Sequence, residues 1–269
     1  MKKKRTIIGL LLVMISISII GCKKEESKID HKDMQTVVVG CDNYSPFSYA
    51  DANGEMTGID VELAKEAFQR MGYEPKFVLI NWEDKKELLA NKTIDCIWSS
   101  FTMTGREDEY NWAGPYMKSS QVVAVNEDSS IHTLQDLENK VIAVQNTTKP
   151  EDIIRSHDGT LPQLRKVISV QKRDLIFILL SKGYVDALAA HDTSVDQFMA
   201  DTGLKFRILD EPLQSVELGV AFDKNDVRSL HTQLTEILND MQKDGTAERI
   251  LAKYLQHAEK YLEDKNAEN

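Results

Sequence analysis

The strongest constraint on this chain is that part of it is written twice. Leu88-Leu89-Ala90-Asn91-Lys92-Thr93-Ile94-Asp95-Cys96-Ile97-Trp98-Ser99 aligns without a gap with Leu179-Leu180-Ser181-Lys182-Gly183-Tyr184-Val185-Asp186-Ala187-Leu188-Ala189-Ala190, at a constant offset of 91 residues. Each copy ends an amphipathic helix, turns, and enters a strand through an aspartate. The offset is too long for a solenoid repeat and points to a duplicated α/β lobe. A chain of 269 residues has the length for two lobes. Two lobes leave a cleft between them, a preferred place for a ligand.

The flanking pattern extends the unit. Residues 36–40, Thr-Val-Val-Val-Gly, form a β-branched run suited to a buried parallel strand. Asp60 is then expected as a helix N-cap, followed by Ala64, Ala67, Phe68 and Met71 at helical spacing and by Gly72 as the stop. A second strand is expected at 76–80, and another at 141–144. Open α/β sheets bind ligands at the carboxyl ends of their strands. Those ends fall at 42–47, 99–106, 145–148 and 191–193.

The residues at these ends have complementary chemistry. Arg106 can grip a carboxylate through two parallel hydrogen bonds. Thr148 and Glu151 have capping-box spacing around Pro150, so a helix N-terminus suited to an anion is expected there, with Thr147 or Thr148 facing it. Asp192, at a strand end, can pair with an ammonium. Tyr44, Phe47, Trp82 and Trp98 offer apolar and π walls. Together these groups suit a zwitterionic α-amino acid. Asp42, Gln145 and Glu217 are further candidates for side-chain selectivity. Acidic candidates outnumber Arg106, which favours a neutral or cationic ligand side chain and leaves cystine-like ligands open.

The N-terminus reads as a targeting segment. A basic block, Lys2-Lys3-Lys4-Arg5, precedes an apolar run over 7–20 that is short for a membrane span. The run ends Gly21-Cys22, which resembles the bacterial lipoprotein box; the alternative is an ordinary secretory signal with an incidental cysteine. Two acyl chains on Cys22 would anchor the chain stably. The net charge is −10, and the removed piece would carry four basic and no acidic residues. That balance argues against nucleic-acid binding. Cys41 and Cys96 are expected as buried free thiols, with a disulfide as the alternative that an extracytoplasmic setting permits. The histidines are dispersed, so neither a metal nor a cofactor is expected.

Over residues 36–255 the chain resembles the periplasmic-type solute-binding proteins of polar amino-acid ABC transporters. The resemblance rests on Cys41-Asp42-Asn43-Tyr44-Ser45-Pro46-Phe47, on Gly54, Gly58 and Asp60-Val61-Glu62-Leu63, and on Trp82. It continues through Ser100-Phe101-Thr102-Met103-Thr104, Arg106, Ala113-Gly114-Pro115-Tyr116, His191-Asp192-Thr193 and Glu217-Leu218-Gly219-Val220-Ala221-Phe222. It implies an α/β fold of two similar lobes joined by a two-strand hinge, the type 2 periplasmic-binding fold. The expected division is a signal peptide (1–21), a lipid-anchored tether (22–34), lobe 1 (35–123), lobe 2 (124–220), helices returning to lobe 1 (221–258) and a polar tail (259–269). The hinge is expected near 121–125 and 215–220, and the return helices at 227–241 and 247–255.

The resemblance further implies that Arg106, with Thr102 and the 147–148 loop, binds an α-carboxylate. Asp192 and the Ser100 carbonyl would bind the ammonium, and Tyr44, Trp82 and Trp98 would enclose the side chain. The expected function is extracytoplasmic binding of an L-amino acid and delivery to an ABC permease by a lipid-anchored monomer, not an enzyme. A cyclohexadienyl-dehydratase-like enzyme, with His191-Asp192 as a base pair, and a stand-alone sensor are the alternatives.

Overall fold

A computed structural model describes residues 34–156, 159 and 161–262. The signal peptide, Cys22 and most of the tether lie outside the described residues. Strands β1 (Gln35–Cys41), β4 (Tyr73–Leu79) and β5 (Cys96–Ile97) alternate with helices α1 (Ile59–Arg70) and α2 (Lys85–Ala90). A small ribbon, β2 (Tyr49–Ala50) with β3 (Met56–Thr57), precedes α1. The long β6 (Asn111–Asn126) leads into β7 (Val141–Gln145), α3 (Lys149–Ser156), β8 (Lys166–Val170), α4 (Asp174–Ser181), β9 (Ala187–His191), α5 (Asp192–Thr202) and β10 (Phe206–Ile208). The chain returns through β11 (Gln214–Phe222) to α6 (Leu230–Lys243) and α7 (Thr246–Leu251).

Nine strands form one sheet in the order β4-β1-β5-β11-β6-β9-β7-β8, with β10 also on β6. The two ends of this order are the same motif. β4-β1-β5 and β8-β7-β9 are parallel triplets, and each is bordered by an antiparallel strand that arrives from the other half.

The duplicated sequence folds into duplicated hydrogen bonds. Asp95 N–H donates to the Val38 carbonyl at 2.8 Å, and its Oδ2 accepts from Val38 N–H at 2.7 Å. Asp186 does the same with Val141, at 2.9 and 2.7 Å. In the preceding turns, Thr93 and Tyr184 donate to Leu88 and Leu179, each at 2.9 Å. Lys92 and Gly183, again at the same offset, take left-handed φ values of 62° and 69°. The aspartate thus satisfies the exposed end of the neighbouring strand in each lobe, which is why the turn is followed by Asp in both copies.

The apolar core divides along the same line. Two buried clusters are confined to one half, around Phe68, Trp98 and Leu234 on one face and Leu89, Ile97 and Tyr110 on the other. Two more are confined to the other half, around Phe177 and Leu188 and around Leu134 and Ile142. None of the four spans both halves.

Several expectations need correction. Asp60 is not the N-cap: Gly58 takes that position with φ 117°, and a Cβ there would lie 2.3 Å from the Phe47 carbonyl oxygen. Asp60 is instead buried in the first turn, where it accepts from Ser100 N–H at 2.5 Å and Tyr116 O–H at 2.8 Å. Helix α6 begins after 227, because Ser229 turns left-handed (φ 57°) and Arg228 is held by Asp226 and Asp95; Val227 is 92 % exposed. The segment from 259 is not all polar tail, since Leu262 is buried in the core and Tyr261 packs against it. Cys41 and Cys96 are buried free thiols, and burial raises the pKa of both.

Candidate functional site

Strand ends from both halves converge on a narrow cleft. Of the residues singled out from sequence, Tyr44, Trp82, Ser100, Thr102, Arg106, Gln145 and Thr148 line it. Gln121, Lys149, Arg173 and His191 join them.

Arg106 sits in a turn closed by its own N–H donating to the Met103 carbonyl at 2.8 Å, while Trp112 Nε1 donates to the Arg106 carbonyl at 2.9 Å. Its guanidinium lies 5.3 Å from the Phe101 ring centroid and pairs with Asp152 of α3, from the opposite half. Arg106 is 8 % exposed, whereas the Asp152 side chain is 52 % exposed. Gly105 is needed beside it: φ is 74°, and a Cβ would lie 2.6 Å from Lys149 Nζ.

The α3 N-terminus differs from the expected capping box. Thr148 Oγ1 turns back to donate to the Gln145 carbonyl at 2.6 Å, and Glu151 accepts from Thr147 N–H at 2.6 Å. Thr147, with φ 55°, faces away from the cleft and holds Lys85 through its carbonyl at 3.2 Å and its hydroxyl at 2.8 Å. Lys85 is buried, 4.8 Å above the Trp82 ring, and burial lowers its pKa to about 8.

Five other expected residues lie outside the cleft wall. Trp98 is fully buried between Phe68 and Tyr116, because alternation along the strand turns it into the core beneath the site. Phe47 is likewise core, 5.1 Å from the Tyr44 ring and behind it. Asp42 sits at the rim, accepting from Gln145 Nε2 at 2.9 Å and Arg173 Nη2 at 3.1 Å. Asp192 is the first residue of α5 and turns away. It accepts from Ser119 Oγ at 3.2 Å and its own helix at Thr193 N–H, 2.8 Å, and lines a separate cavity with Glu217 and Lys118. Glu217 therefore also lies off the cleft.

His191 occupies the position facing the ligand space. Its Nδ1 is 2.8 Å from Ser119 Oγ and its Nε2 is 2.9 Å from Gln121 Nε2. Burial lowers its pKa to about 3, so the ring is neutral. A neutral ring satisfies the whole chain: Gln121 donates to Nε2, Nδ1–H donates to Ser119, and Ser119 donates to Asp192.

Arg173 was absent from the expected set. Its guanidinium lies 3.2 Å from the Tyr44 ring centroid, and its Nε is buried without a partner. It follows β8, so the strand-end rule that located the other loops would have located it too, had 166–170 been read as a strand. Lys85 carried no such signal, since its site depends on the Trp82–Asp84 turn folding over it.

The sequence family of bacterial extracellular solute-binding proteins, family 3, matches residues 37–257. The histidine-binding periplasmic protein of Escherichia coli (strain K12) is 27 % identical over 230 residues, 82 % of this chain and 87 % of that protein. The L-cystine-binding protein TcyJ of Escherichia coli (strain K12) is 27 % identical over 228 residues, 83 % of this chain and 84 % of that protein. Among solved structures, the ancestral amino acid-binding protein AncCDT-1, described as a precursor of cyclohexadienyl dehydratase, has a TM-score of 0.73 and 28 % identity, covering 82 % of this chain and 96 % of that one.

Proposed function

This chain belongs to the bacterial extracellular solute-binding proteins, family 3, and from that premise we propose that it binds an amino-acid-type solute between its lobes and delivers it to an ABC permease. The observation that carries the reading is the pairing of buried Arg106 with exposed Asp152 of the opposite half. A ligand carboxylate entering the cleft replaces Asp152 on the guanidinium and is reached by the α3 N-terminus from the other side. Thr102, which accepts from Gln121 Nε2 at 3.3 Å, lines the same wall, Ser100 offers its hydroxyl, which is buried without a partner, and Tyr44 and Trp82 enclose the remainder. Closure around the ligand is hinged on β6 and β11 where they cross between halves, at 118–121 and 214–218, one step before the 121–125 segment expected from sequence. Gln121 pairs there with both Gln214 and His191.

Binding without turnover fits the site. His191 spends both ring nitrogens on neighbours and reaches Asp192 only through Ser119, so the two do not form a general base pair. A lipid-anchored, extracytoplasmic monomer belongs to the same reading; its test is the mass of the mature N-terminus, which should carry a diacylglyceryl group on Cys22.

The binding test is a thermal-shift panel of amino acids on protein refolded once to strip carried-over ligand. A ligand at about 100 times its Kd adds roughly 2.7 kcal/mol of stability. A clear shift with one group of amino acids or their close derivatives supports the reading. No shift with any of them refutes it.

A further inference from the structure

We infer that the solute is a carboxylate lacking a free ammonium, such as an N-acylated amino acid or a 2-oxo acid, because the cleft presents cations and no carboxylate to its contents. This rests on the proposed reading of the cleft as a site for amino-acid-type solutes and names their charge. Arg106, Lys149 and Arg173 all line the cleft, and among the described residues no Asp or Glu does. The two carboxylates that pair with these arginines, Asp152 and Asp42, lie outside its wall. Asp192, the acid expected to meet an ammonium, is committed to Ser119 and to the start of its own helix. His191 stands in its place with no charge to offer.

The unpartnered groups point the same way. Trp82 Nε1 and Arg173 Nε are buried donors without acceptors. They suit a second acceptor-rich group on the ligand, such as an acyl or keto oxygen. The side-chain acceptors left for an ammonium are the amide oxygens of Gln121 and Gln145 and the hydroxyls of Ser100 and Tyr44. These are neutral, and an ammonium reaching them would lie among Lys149 and two arginines, whose ion-pair partners Asp152 and Asp42 stand behind the cleft wall. Buried charges without an opposite partner are disfavoured, and a binding site discriminates most strongly where a ligand would leave a polar group unpaired.

The test is titration calorimetry on the full-length protein with matched triplets: L-glutamate, N-acetyl-L-glutamate and 2-oxoglutarate, then the corresponding glutamine, leucine and phenylalanine sets. The expected result is that, in every triplet that binds, the acylated or oxo member binds at least tenfold more tightly than the parent amino acid. Which of the two leads distinguishes the acyl from the oxo class. Tighter binding of the parent amino acid overturns the inference while leaving the carboxylate reading of the cleft intact. Heat from no member of any triplet refutes that reading, and the inference falls with it. His191→Asp should reverse the order within a triplet, and a circular dichroism melt establishes that the variant is folded. A folded variant that keeps the wild-type order also overturns the inference.

Discussion

At the scale of single residues, Arg106 is the position on which binding turns. Arg106→Ala should weaken ligand binding at least tenfold, about 1.4 kcal/mol, and a calorimetric loss under threefold would remove it from the site. Two buried groups also make stability depend on pH in opposite senses. Burial raises Asp60 from 3.8 to about 7, so the folded state holds its proton where the unfolded state has lost it, and stability falls as pH rises through that window. Burial lowers His191 from 6.5 to about 3, so the unfolded state binds the extra proton and stability rises with pH between those values. Each slope is at most about 1.4 kcal/mol per pH unit, and between roughly pH 4 and 6.5 they offset one another. His191→Gln should therefore leave a protein whose stability declines from pH 4.5 to 6.5, and Asp60→Asn one whose stability climbs. Urea midpoints at three pH values check both; profiles parallel to wild type would mean that neither group is titrating as its burial requires.

At the scale of elements, the helix–turn–strand repeat is where sequence was most informative. Its register is carried by backbone geometry, a left-handed turn residue and an aspartate tied to the adjacent strand, and each of these leaves a residue-type signature. Asp95→Ala and Asp186→Ala should each cost about 1–3 kcal/mol, the penalty for a strand N–H left without its acceptor. Chemical denaturation should show losses of similar size at the two sites, and an effect confined to one copy would mean that the second is decorative. The strand ends were less legible. A one-residue error along β9 exchanges His191 for Asp192 and reverses what faces the ligand, because neighbouring side chains leave a strand on opposite faces. Trp98 failed for the same reason. The helix expected from 227 begins only at Leu230, since a left-handed Ser229 is not a choice that residue type advertises.

At the scale of the whole molecule, the halves share a sheet but no apolar cluster, and the contacts that cross the cleft are hydrogen bonds, ion pairs and the packing of Arg173 and His191 on lobe-1 rings. Asn146 Nδ2 donates to Glu83 at 2.6 Å and Gln171 Nε2 to Asn81 at 3.1 Å, both at exposed positions outside the ligand space. Glu83→Ala should shorten ligand residence about two- to tenfold with little change in association rate, the signature of a weakened closed form. Stopped-flow kinetics separates the two rates, and an unchanged dissociation rate would show that these contacts do not hold the lobes together. Sequence pattern announced two lobes and a cleft, but not their polar clasp, because Asn146, Gln171 and Glu83 are unremarkable surface residues until the halves meet. The placing of β11 between β5 and β6 has a consequence of a different kind. A chain that emerges N-terminus first completes the strands of one lobe, β7 through β10, before residue 214 appears. The other lobe waits, its sheet missing an inner strand and its core missing α6 and α7, until nearly the last residue arrives. The lobe whose strands are made first thus cannot finish folding until the last helices have been made.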